Sequence, residues 1–145
     1  MTPHEILESG RKILDPVLLP HGFAFKELKG GHSSGGPYSS GMYGKTGRHV
    51  EIHFRFSLGL VTYHMGALSI SHEAYMHSIL GARGGNKYPG FSDDPLEAFR
   101  DLAFDLNTFC SDFLSGPGDE FAQYAKIADQ NEHRSGFSRM ADFES

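Results

Sequence analysis

"VEIHFRFSLGLVTYHMG", residues 50–66, alternates apolar and polar side chains with a period of two, the pattern of paired strands with one dry and one wet face. Val50, Ile52, Phe54 and Phe56 share one face, while Glu51, His53, Arg55 and Ser57 share the other. A hairpin loop within residues 57–60, two or four residues long, pairs Phe56 with Val61, Phe54 with Tyr63 and Ile52 with Met65. A three-residue loop would set Phe56 against Thr62 and mix the faces, so the even register is expected. That register also sets Arg55 against Thr62 and His53 opposite His64, with β-carbons about 4.5 to 5.5 Å apart. The alternation changes phase after Gly66, which a bulge or a strand end at that glycine explains.

The flanking segments extend this hairpin into a sheet. Residues 42–46 read as a strand leading through a Gly47-Arg48 turn, and residues 23–28 read as the first strand. Between them "KGGHSSGGPYSSG", residues 29–41, is rich enough in Gly and Ser to be expected as a mobile loop. It lacks the Gly-Lys-Ser/Thr ending of a phosphate-binding loop. "GARGGNKYPGFS", residues 81–92, is expected as a second glycine-rich loop.

Two helix starts carry the same signature. Thr2-Pro3-His4-Glu5 and Asp94-Pro95-Leu96-Glu97 each place a capping residue before a proline and a glutamate three positions on. The first helix puts Ile6, Leu7, Ile13, Leu14, Val17 and Leu18 on one face, with Pro16 expected to end or kink it. The second, long helix carries Leu96, Phe99, Leu102, Ala103, Leu106, Phe109, Cys110 and Phe113 at helical spacing. Ser71 caps a short helix from His72 to Leu80, and Phe121, Tyr124, Ala125 and Ile127 outline a last one. The expected fold is therefore α+β: a four-stranded antiparallel meander packed on one face by the N-terminal and the long C-terminal helix, with a short and a last helix added. Residues 1–130 form the single domain and residues 131–145 a flexible tail.

Charge is divided along the chain. Residues 1–91 hold nine Lys/Arg against six Asp/Glu, residues 92–129 two against nine, and the whole chain sums to −5. An acidic helical half disfavours nucleic acid and favours a basic partner. Neither a signal peptide nor a run of apolar residues long enough to span a bilayer is found, so the cytoplasm is the default expectation. The single Cys110 excludes an internal disulfide and falls on an apolar helix face.

Candidate chemistry gathers in two places. On the polar sheet face, His53 and His64 with Glu51 form a candidate zinc site or acid–base pair. On the long helix, Glu97, Asp101 and Asp105 recur every four residues opposite the apolar stripe and, with Arg55 of the sheet, make a candidate protein-docking surface. His72 and His77 are five residues apart, about 140° around a helix, and so do not make the zinc motif that needs a spacing of four.

The order of helix, meander, short helix and long helix, with "LLPHGFAF" leaving the first helix and Gly22, Phe23 and Lys26 in place, resembles small bacterial immunity proteins that neutralise toxins of polymorphic toxin systems. The resemblance implies a protein that acts by occluding a basic toxin domain rather than by catalysis. The alternative is a small metal-binding protein or enzyme using the sheet-face histidines. Exposed sheet edges also leave homo-oligomerisation open.

Overall fold

The hairpin of residues 50–66 forms, but its two strands are offset from the expected pairing. The computed structural model describes residues 2–33, 36–55, 57–90 and 92–130. In it β3 (Arg48–Phe54) and β4 (Leu58–Met65) run antiparallel, with Val50 opposite Tyr63 and Ile52 opposite Val61 rather than Met65. An irregularity between Ile52 and Phe54 then brings Phe54 against Leu58, while Phe56 lies outside the described residues. A slip by an even number of residues keeps every side chain on its own face, so hydrophobic alternation alone cannot choose between the two registers.

β1 (Ala24–Ser33), β2 (Gly36–Lys45) and β5 (Leu68–Ser71) complete a five-stranded meander in chain order, one strand more than expected. The phase change after Gly66 is a strand end: residues 66–67 form a two-residue turn into β5, with Gly66 at a φ of +60°. Its partner turn is residues 46–47, not 47–48, with Gly47 second at a φ of +79°. The two turns touch, since the Gly66 N–H donates to the Gly47 carbonyl at 3.0 Å.

The Gly/Ser segment is also corrected: β1 and β2 run through all of it that is described, up to positions 33 and 36. Gly41 gives the reason at one position. A β-carbon there would stand 2.4 Å from the Phe25 ring, so the glycine leaves room for an aromatic ring laid across its neighbouring strand. Arg11 of the first helix also packs on this ring, its guanidinium carbon 4.0 Å from the Phe25 centroid.

α1 (Pro3–Leu18) begins as expected, with Thr2 Oγ1 accepting from the Glu5 N–H at 3.2 Å. It continues through Pro16, because a proline in the last turns removes one backbone hydrogen bond without stopping a helix whose Leu14, Val17 and Leu18 are buried. α2 (His72–Leu80) is capped by Ser71. α3 (Pro95–Phe109) is capped by Asp94, whose Oδ1 accepts from Leu96 N–H at 2.9 Å. α3 breaks at Cys110, before α4 (Ser111–Leu114) and α5 (residues 119–130). The expected tail, residues 131–145, lies outside the described residues.

α1 and α3 pack on each other and on the inner face of the sheet, where Tyr43, Val50, Ile52, Phe54, Val61 and Tyr63 are buried with Leu7, Leu14, Phe99, Leu102 and Leu106. Each such side chain contributes roughly 1.5 to 3 kcal/mol by leaving water. The helices meet at Gly10, where a β-carbon would fall 2.4 Å from the Phe99 ring. The β2–β3 turn is tied to the same layer by two inward cations. Lys45 Nζ donates to the Leu114 and His21 carbonyls, and Arg48 Nη1 to those of Asp112 and Phe113, where the unsatisfied oxygens of a helix end attract positive charge.

Candidate functional site

The face of the sheet turned away from α1 and α3 carries the polar half of the alternation: Glu51 is exposed, and His49, His53, Thr62 and His64 are half-buried. Here the register decides the chemistry. His64 stands opposite His49 and not His53, so the expected histidine pair does not form. His64 Nε2 instead meets Glu51 Oε1 at 3.0 Å, in a pair whose side chains are 34% and 48% exposed. His49 does not replace His53 in the pair, because its ring lies across Gly44 of β2, with Cδ2 2.6 Å from where a β-carbon would stand. His53 stacks on Tyr38 at 5.3 Å between ring centroids, and the Arg55 guanidinium carbon stands over the same tyrosine ring, 5.5 Å from its centroid. Beside them Lys26, Glu27, Leu28, Ser40 and Glu51 line an open depression of about 520 Å³.

The expected acidic stripe on α3 is interrupted for a different reason. Asp105 is fully buried, not solvated. Its Oδ1 accepts the Lys87 N–H at 2.7 Å, and its Oδ2 accepts the Tyr88 N–H and His72 Nε2–H, each at 2.9 Å. The carboxylate thus fixes the imidazole proton on Nε2 and leaves Nδ1 to accept from Tyr63 OH, 2.5 Å away. Cys110 Sγ, 4.0 Å from that hydroxyl, completes a chain that runs from thiol to phenol to imidazole to carboxylate. Burial pushes the Cys110 thiol up to about 12, opposed by its contact with Tyr63, and pushes the Tyr63 phenol well above its ordinary range.

Chemically, every hydrogen-bonding position on the His72 ring is taken, so the ring as it stands offers no free base or nucleophile. What the chain of contacts does is hold four elements at one point: β4 through Tyr63, α2 through His72, α3 through Asp105, and the segment after α2 through two backbone amides. Tyr88 adds a fifth tie, its hydroxyl donating to the Leu58 carbonyl at 2.6 Å and to that of Gly59. A cavity of about 270 Å³ beside it is bordered by Leu60, Val61, His72, Glu73, Tyr88 and Pro89. Burial and the nearby Glu73 charge push the Tyr88 phenol up to about 12.

The remaining members of the stripe stay outside. Glu97 is paired with Arg100 at 2.8 Å, and Asp94 shares the same guanidinium at 3.2 Å. Asp101 is half-buried, and its pKa is raised first by desolvation and then by Glu97. Both roles given to Asp105 could have been weighed from spacing: it lies three residues after Leu102 and beside Leu106, on the flank of the apolar stripe as well as in the acidic repeat. His72 was legible too, being two residues beyond the inward Ile70 with only a helix cap between.

Searches against protein-family models, curated proteins and solved structures find no match for the chain.

Proposed function

We propose that the chain is a protein-binding module that engages its partner across the face of the sheet turned away from α1 and α3 and acts by occlusion, as the immunity proteins its layout resembles would act on a basic toxin domain. One observation carries this reading. A five-stranded sheet whose helices α1 and α3 pack on one side presents, on the other, a contiguous array of Glu51, His64, the His53–Tyr38–Arg55 stack and an open depression. Aromatic rings and arginine side by side supply large, rigid contact area of the kind that dominates protein interfaces. The acidity of residues 92–129, two Lys/Arg against nine Asp/Glu, draws a basic partner in from a distance, a contribution to encounter rate that salt screens, while residues 1–91, which supply the sheet face, sum to +3.

The test is co-expression with toxic domains encoded beside the chain's own gene. Growth should be restored by the wild-type chain and lost with a His53→Ala, Arg55→Ala, Glu51→Ala triple variant whose melting temperature is unchanged. Protection by the triple variant equal to wild type would remove the sheet face from the reading. Absence of both protection and complex with every neighbouring domain would remove the reading itself.

A further inference from the structure

The side chains of His4, Glu8 and Glu27 converge where the first turns of α1 pass the edge strand β1. His4 and Glu8 are four residues apart and project from the same side of the helix. Glu27 pairs with Gly41 just before the irregularity in β1. His4 Nδ1 already lies 2.9 Å from Glu27 Oε1. One ligating atom from each of the three side chains falls within 4.8 Å of the other two, and no other trio of His, Cys, Asp or Glu among the described residues is so gathered.

The geometry points to a divalent-cation site built from the His4 imidazole and the Glu8 and Glu27 carboxylates, with zinc the best match and water filling the open positions. One nitrogen and two carboxylate oxygens are a donor set that first-row divalent ions accept, and three protein ligands leave room for solvent. Bonds of about 2.0 to 2.2 Å set ligand atoms roughly 3.4 Å apart around a tetrahedral ion, so a spread of 4.8 Å closes by side-chain rotation of about an ångström.

Two groups oppose the ion. Arg11 Nη1 stands 3.4 Å from Glu8 Oε2, and the N-terminal end of α1 is itself electropositive. Arg11 keeps its place over Phe25 when Glu8 turns away, so the competition limits affinity without blocking the site. Glu27 also lines the depression beside the sheet face, but His4 and Glu8 come from α1, so two of the three ligands lie outside the sheet-face reading. Occupied, it ties the start of α1 to the sheet edge and stabilises the fold by mass action.

The full chain, expressed without a histidine tag and stripped with chelator, is titrated calorimetrically with zinc chloride. Binding at one site should weaken at least about tenfold in each of His4→Ala, Glu8→Gln and Glu27→Gln, and stay unchanged in a His53→Ala, His64→Ala double variant. Manganese should broaden backbone NMR signals around positions 4, 8 and 27. All three ligands are surface side chains, and circular dichroism melts of the metal-free variants confirm that each folds. No saturable binding, full affinity surviving any one of the three substitutions, or loss of binding in the double variant would each overturn the site.

Discussion

Asp105 gathers three donors from two other parts of the chain: a histidine side chain on α2 and the two consecutive amides of Lys87 and Tyr88. An asparagine there keeps the shape but exchanges one acceptor oxygen for a donor NH2 group. Whichever way the amide turns, an N–H then faces an N–H in a site that water does not reach. Asp105→Asn should therefore destabilise by about 3 kcal/mol, the cost of an unsatisfied buried donor plus the lost charge-assisted bonds. Asp101→Asn, one turn earlier on the same helix at a half-buried position, removes a carboxylate whose pKa is raised first by desolvation and then by Glu97, and should shift stability by no more than about 0.5 kcal/mol in the favourable direction. Urea denaturation of both variants separates the cases, and equal effects would mean that Asp105 is not the anchor its contacts indicate. A reading of the acidic repeat alone gives the opposite sign for Asp105, since it treats all three carboxylates as neighbours in water.

Among the elements, α1 and α3 show how one position decides a crossing. Exchanging glycine for alanine within a helix ordinarily stabilises by about 1 kcal/mol. At Gly10 the new methyl would meet the Phe99 ring at 2.4 to 2.6 Å, and overpacking of this kind costs about 1 to 3 kcal/mol. Gly10→Ala should accordingly lower the urea midpoint, and pairing it with Phe99→Leu should recover part of the loss; a stabilised single variant would show that the helices pass at a distance. The helices themselves were plain in the sequence because caps, prolines and apolar spacing agree over Thr2-Pro3 and Asp94-Pro95. The strands were legible as strands for residues 50–66, whose alternation survives any even slip. Pairing was not, because it was set by the irregularity near Phe54 and the short connection after it, where no apolar pattern discriminates. The Gly/Ser stretch misled for a related reason: Gly41 looks like a loop residue until the Phe25 ring that fills its empty space is known. With the register went the His53–His64 pair, whereas the His4, Glu8 and Glu27 cluster joins two elements that spacing alone cannot connect.

For the molecule as a whole, the most pronounced electrostatic feature is a set of acids kept protonated by burial. Desolvation is the first cause in each case: it raises Tyr43, Tyr63 and Tyr75 well above their ordinary 10.0, and raises Cys110 from 9.0 and Tyr88 from 10.0, each to about 12. Between about pH 9 and 12 the unfolded chain has lost protons that the folded chain retains. The unfolded state then binds fewer protons, and the free energy of unfolding falls as pH rises. These groups contribute in full below about pH 9 and progressively less above it, so the urea midpoint should drop between about pH 8 and pH 10.5. A midpoint that holds or climbs across that interval would mean that the phenols and the thiol are reached by water.

Because the sheet is an unbroken meander, each β-segment finds its mate in residues that left the ribosome just before it, and the ladder can zip in the direction of translation. α1 can rest early on β2, but its larger apolar contact must wait until α3 emerges from the tunnel. Between the emergence of β5 and that of α3, the nascent chain therefore holds a finished ladder and a first helix with only the sheet to rest on. That interval, more than the mature fold, is when a chaperone has something to hold.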